Sequence, residues 1–285
     1  MEPAKTFVMR GDGVDIQLAE WPGSGQTILA VHGLTANLRC FETLAAGLQG
    51  RHHLLAMDLR GRGLSGKPGA GYSLDHHCRD IRAVLGELGL TGVTLMGHSL
   101  GAYISLAFAA LHPGLADRLI LLDGGGELSA EQWAKVGVGV QPSVDRLGKV
   151  LPSLGAYLEQ VRQAPYYDPW SPAIENYFRY ELEEVAGGGV RSRTQPANIA
   201  EERANLAGIQ PSRFYPLIKC PVLVVRAVRG MSAPENLVLP PDALVRMQQA
   251  MPQARAVELA DADHFSLIFQ PNPARDRAIL DFMAA

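Results

Sequence analysis

Ser99 stands in the pentapeptide Gly97-His98-Ser99-Leu100-Gly101. A serine hydroxyl becomes a nucleophile when a base takes its proton and the backbone presents it clear of its neighbours. The flanks meet the second condition. Val93-Thr94-Leu95-Met96 reads as a buried strand and residues 102–110 read as a helix. That strand–turn–helix setting gives G-x-S-x-G its mechanism, because the glycines let strand and helix approach while the turn holds the hydroxyl out. The alternative is an ordinary glycine-containing turn, so partners decide. His264 follows the last strand-like run and completes the chain order serine, acid, histidine. Imidazole titrates near neutrality and can take and return a proton. The chemistry expected of this pair is attack on an acyl carbon.

The elements that must bring 99 and 264 together follow from hydrophobic pattern. Residues 27–31, 53–57, 93–96, 119–122 and 221–225 are apolar runs of the kind found in strands buried on both faces. Residues 14–18 alternate as an early edge strand would, and 254–259 read as a last strand. Helical patterns at 38–48, 74–88, 100–111, 241–250 and 273–283 fall between and after them. This alternation predicts an α/β fold with a mostly parallel central sheet and helices on both faces. From 124 to about 210 no buried strand is evident, and 129–136, 144–162, 172–184 and 199–207 read as helices. The expected organisation is a core of residues 1–125 and 210–285 with an inserted helical cap, 126–209. Loops at the carboxyl edge of such a sheet are where 99 and 264 are expected to meet.

Of 285 residues, 47% are hydrophobic and 19% charged, with a formal net charge of -3. That balance gives no electrostatic reason to expect nucleic acid or an acidic membrane as partner. Cys40, Cys78 and Cys220 are odd in number and widely spaced, which points to a reducing compartment. The first residues lack the apolar core of a signal peptide, and no run approaches a membrane span. A cytoplasmic location is expected. His52, His53, His76, His77 and His112 read as structural, and His98 as packing behind the turn. No histidine trio has zinc-like spacing, and Gly61 and Gly63 form no phosphate loop. Arg60 and Arg62 read as braces of their loop. Neither metal nor cofactor is expected.

Ala30-Val31-His32-Gly33-Leu34, Asp58-Leu59-Arg60-Gly61-Arg62-Gly63-Leu64-Ser65, Gly97–Gly101 and His264 together resemble motifs of the α/β-hydrolase fold superfamily, in particular cap-bearing bacterial serine esterases and lactonases. The similarity spans roughly 10–125 and 210–285. It implies an oxyanion hole from the backbone N–H groups of Leu34 and Leu100, where losing one such donor typically costs about 2.7–4 kcal/mol. His32 is then a candidate at the substrate, or the packing histidine of a tight turn. Many members place an aspartate a few residues past the strand at 222–225, where this chain has Gly230. The family's other solution puts the acid directly after the preceding strand, and Asp123 stands there. Glu235, Asp242, Asp261 and Asp263 are rivals.

Trp133, Tyr157, Tyr166, Tyr167, Trp170, Tyr177, Phe178 and Tyr180 crowd the cap segment. Most are expected in its own core; Tyr157, Tyr167 and Trp170 are candidates to face the cleft. Arg191, Arg193 and Arg203 either reach a substrate carboxylate or are solvated. The resemblance implies hydrolysis of a small or medium carboxylic ester or lactone through an acyl-enzyme. The same triad serves amide, thioester or C–C bond hydrolysis and cofactor-free perhydrolysis, and some members of the superfamily are ligand receptors without turnover. The expected partner is a small molecule, with a homodimer through the cap left open.

Overall fold

The computed structural model describes Pro3 and residues 5–285. An antiparallel hairpin of β1 (Lys5–Arg10) and β2 (Asp15–Trp21) precedes β3 (Gly25–Val31), α1 (Glu42–Leu48), β4 (His52–Met57) and α2 (Leu74–Leu88). β5 (Val93–His98), α3 (Leu100–Leu111) and β6 (Ala116–Leu122) follow. Next come α4 (Ala130–Asp145), α5 (Leu154–Arg162), α6 (Pro172–Glu181), a short ribbon of β7 (Leu182–Glu184) and β8 (Val190–Ser192), and α7 (Pro196–Leu206). The chain closes with β9 (Val222–Ala227), α8 (Pro241–Ala250), β10 (Ala254–Leu259), α9 (Ser266–Phe269) and α10 (Pro273–Ala284).

The eight-stranded sheet has the order β1-β2-β4-β3-β5-β6-β9-β10, parallel from β4 onward. β5 and β9 are buried along their whole length, as expected of strands covered on both faces. Strand order reverses at β3, which passes the chain outward to β4 before it returns on the other side at β5. A crevice opens at the carboxyl ends of strands flanking such a reversal. The loops after β3 and β5 carry His32-Gly33-Leu34 and Ser99.

Three details differ from the sequence pattern. Residues 14–18 are not an edge strand, because β1 pairs outside β2. β1 is exposed or only half-buried along its length, so it shows no buried face to read. The run 144–162 is not one helix: α4 extends to Asp145, Gly148 takes a left-handed φ of 74°, and α5 starts after Pro152 with Ser153 as its N-cap. The segment between β6 and β9 is mainly helical but also holds the β7–β8 ribbon.

Buried ion pairs fasten that segment to the sheet. Glu202 of α7 accepts from Arg62 Nη2 and His77 Nε2, both at 2.8 Å, and all three side chains are fully buried. Arg62 Nε donates to the Leu34 carbonyl at 3.0 Å. One guanidinium thus ties α7 to the loop after β3. Glu201 accepts from the backbone N–H groups of Gly71 and Tyr72. The Tyr180 hydroxyl of α6 donates to Asp58 at 2.6 Å. Arg60 grips Asp80 with two bonds of 2.7 and 2.8 Å, bracing its loop. Among the described residues no helix is long and apolar enough to cross a membrane.

Burial pushes the Glu202 carboxyl up, but His77 and Arg62 outweigh it and hold it at about 2, below its ordinary 4.5. A depressed carboxylate contributes stability that is complete above its unfolded pKa and lost as pH falls through its folded one. Glu202→Gln is therefore expected to lose about 3–5 kcal/mol at pH 7, as for other broken buried pairs. It should also lack the part of the wild-type decline that falls between pH 4.5 and 2. Urea melts of both proteins across that range measure this; identical slopes would contradict it.

Candidate active site

Ser99 sits between β5 and α3 with φ 56° and ψ −120°, a region a non-glycine residue rarely occupies. Close packing holds it there. A Cβ on Gly101 would lie 1.9 Å from the Val31 carbonyl oxygen, and one on Gly97 would lie 2.0 Å from that of Gly101. Only glycine lets α3 run this close under the end of β3. The parallel ladder continues past the strand ends and aligns the loops. Ser99 N–H donates to the Leu122 carbonyl at 3.0 Å, and Asp123 N–H donates to that of Val225 at 2.8 Å. Ser99 and Asp123 therefore follow neighbouring strands in register.

The structure brings Asp123 to His264. His264 Nδ1 lies 2.8 Å from Asp123 Oδ2, and both side chains are buried. A carboxylate only accepts, so Nδ1 carries the proton, which leaves Nε2 of the neutral ring as an acceptor. The other carboxylate oxygen accepts from the Ala227 N–H at the end of β9, at 3.1 Å. Asp123 itself takes a left-handed φ of 46°. A second histidine steadies the first. His98 Nε2 donates to the His264 carbonyl at 3.1 Å, and the two rings stack at 4.5 Å. Burial, then the neighbouring His264, hold His98 well below its ordinary pKa, so it stays neutral.

The rivals of Asp123 are bonded elsewhere or exposed. Glu235 is exposed. Asp242 bonds to Gln132 and Arg246, and Asp263 accepts the N–H groups of Phe265 and Ser266 at the start of α9. Asp261 is exposed. At Gly230 a Cβ would fall 1.9 Å from the Ala233 carbonyl oxygen, so that turn admits no side chain.

Leu34 and Leu100 flank Ser99 on the wall of one cavity. Leu100 is the first residue of α3, so its N–H has no carbonyl one turn earlier to bond. The partial positive charge of the helix start favours a negative oxygen beside it. His32 borders neither cavity that Ser99 lines. It is fully buried beneath the loop, where Nε2 accepts from the Leu59 N–H at 3.0 Å and Nδ1 donates to the Gly33 carbonyl at 2.8 Å. That carbonyl belongs to the peptide whose N–H is Leu34, so His32 fixes the direction of that N–H. Burial holds the ring's pKa down to about 3, and the bond pattern therefore persists across the neutral range.

Of the cap aromatics singled out from sequence, Tyr167 lines the cavity that holds Ser99 and His264. Tyr157 does not; it is buried with its hydroxyl on Glu181 at 3.2 Å. Trp170 does not either; its ring stacks parallel to Phe178 and lies under the Arg162 guanidinium. Both belong to the cap's own packing. Arg146 is a site residue that the sequence pattern does not single out. It lines the same cavity as Ser99, and its guanidinium holds both oxygens of Glu181 at 3.1 Å and the Ser143 carbonyl at 3.0 Å. A lone arginine near a helix end gives no local sign that it will be buried against a loop from another layer.

The arrangement has a readout that needs no substrate. A fluorophosphonate should label wild type at Ser99, and Asp123→Asn should slow the labelling by about a thousandfold or more, in line with loss of the tautomer-setting acid. Glu235→Gln and Asp242→Asn should label at the wild-type rate. Mass spectrometry of the adduct over time measures this; fast labelling of Asp123→Asn would remove Asp123 from the site.

The family model described as alpha/beta hydrolase fold matches residues 26–271. The chain is 31% identical over 248 residues to 2-(acetamidomethylene)succinate hydrolase of Mesorhizobium japonicum, covering 85% of this chain and 83% of the relative. The crystal structure of E-2-(acetamidomethylene)succinate hydrolase superposes with a TM-score of 0.84 at 26% identity, over 99% of this chain and 100% of the other. The enol-lactonase of Burkholderia xenovorans shares the fold, with a TM-score of 0.74 at 22% identity over 98% of this chain and 100% of the other. These relatives are hydrolases, and the chain belongs to the α/β-hydrolase fold superfamily.

Proposed function

We propose that the protein is a serine hydrolase that cleaves a small or medium carboxylic ester or lactone through an acyl-enzyme. One observation carries the reading: Asp123 holds His264 through Nδ1 at 2.8 Å, while His264 and Ser99 border a single cavity. His264 Nε2 takes the proton of the Ser99 hydroxyl as Oγ attacks the carbonyl carbon. The oxyanion is met by the N–H groups of Leu34 and Leu100. His264 then gives its proton to the leaving oxygen, and the C–O bond to the alcohol breaks. Water then attacks the acyl carbon as His264 Nε2 takes one of its protons, and that proton passes to Ser99 Oγ as the acyl C–O bond breaks and the acid leaves. Asp123 keeps the tautomer and balances the imidazolium.

A second reading keeps every step and changes the bond to an amide. It is favoured by the name of the relative, which is a hydrolase of an acetamido-bearing succinate. His264 then protonates a leaving nitrogen.

Ser99→Ala is expected to abolish acid release from short methyl esters and γ-lactones in a pH-stat. Wild type quenched during turnover should carry the acyl mass on Ser99. Acid release that persists in Ser99→Ala would overturn the scheme. The same panel extended to N-acyl amides separates the two bonds.

A further inference from the structure

Two cavities of unequal size meet at Ser99. The smaller, about 40 Å³, is bordered by His264, Phe265 and Arg146. The larger, about 340 Å³, is bordered by Leu100, Tyr103, Trp133, Val136 and Val238. Leu34, Ser99 and Val140 border both, whereas His264 borders only the smaller. On the proposed function, which this inference deepens, His264 protonates the leaving oxygen. The leaving alcohol must therefore turn toward the smaller cavity, and the acyl group is left with the larger one. A water needs about 10–15 Å³ of such space, so about 40 Å³ has room for roughly three waters or one short alcohol. It suits methanol, or the water of the second step.

The larger cavity is mainly apolar. Arg203 is its only charged lining residue among the described residues. Its guanidinium stands opposite Gly137 of α4, with Nη2 3.9 Å from where a Cβ on that glycine would lie. The neighbouring arginines of the segment are engaged. Arg146 holds Glu181, Arg162 and Arg179 hold Glu175, and Arg191 holds Glu183. Arg193 donates to the Tyr180 carbonyl. Among the described residues the Arg203 side chain makes no ion pair or hydrogen bond. The side chain is exposed to solvent, but the helix that carries it is fixed, because the preceding Glu201 and Glu202 bolt α7 to the core. An unpaired cation at the solvent-facing rim of an apolar chamber is complementary to a chain that ends in an anion.

We propose that the larger cavity takes the acyl group and that Arg203 pairs with a carboxylate at that group's far end. The favoured substrates are then half-esters of dicarboxylic acids with a methyl-sized alcohol. Hydrolysis adds one water and yields the dicarboxylate, methanol and a proton.

The test is the kcat/KM of monomethyl esters from succinate to suberate, each divided by that of the methyl alkanoate of equal chain length. Wild type should favour the half-ester by about tenfold or more at one optimal length, as a charge-assisted bond would give. Arg203→Gln should bring the ratio near one, Arg203→Glu should push it below one, and Arg203→Lys should restore part of it. The ratio cancels any general loss of activity. A ratio near one in wild type, or one that survives in Arg203→Gln, overturns the inference and leaves the esterase reading standing. Calorimetric titration of Ser99→Ala with monomethyl adipate covers the converse. Binding that weakens about tenfold with Arg203→Gln supports the anion site even if no ester is turned over, whereas binding indifferent to Arg203 sinks it.

Discussion

The bond between the Asp123 carboxylate and the His264 imidazole is the constraint to which the rest of the site answers. Both groups lie out of water, where a charge-assisted hydrogen bond strengthens and an unmade one is costly. The carboxylate is held from the other side by β9, and the imidazole loop by His98. The sheet supplies the remaining precision. Because the ladder runs on past β5 and β6, residues 99 and 123 are set by strand register rather than by loop conformation. A one-residue slip in either pairing would turn the side chains to the opposite face.

The helical segment between β6 and β9 is tied to the elements around the sheet by buried charges, which is an expensive way to hold two layers together. Removing ions from water costs more than most pairs return, so such contacts serve geometry more than stability. Arg62 illustrates this. It touches Leu34 on the core side and Glu202 on the cap side, so the loop beside Ser99 and helix α7 share one side chain. Tyr180 on Asp58 and Glu201 on the Gly71 and Tyr72 amides add further fixed points. The walls of both cavities are therefore set by the same interactions that join the layers.

Much of this was legible in the sequence, and the reasons differ from residue to residue. The central strands announce themselves as apolar runs because both of their faces are covered. Asp123 could be picked out because it ends such a run while position 230 carries no acid. β1 could not, since a strand open to solvent shows no buried face. The histidine of a His-Gly turn does not reveal which way its ring will swing, and His32 swings back under its own loop. Tyr157, Tyr167 and Trp170 look alike in a crowded aromatic segment, and tertiary packing alone sends Tyr167 to the cavity. Arg146 belongs to the same class, since its neighbours come from distant parts of the chain.

The turn at Gly230 has a consequence for descent. The carbonyl of Ala233 fills the space that any side chain at that position would need. A carboxyl therefore cannot return there by a single codon change, because the first step lands on backbone. While this turn keeps its shape, a carboxylate can stand at the end of the neighbouring strand but not here. An acid at position 230 would need Ala233 and its neighbours to move with it.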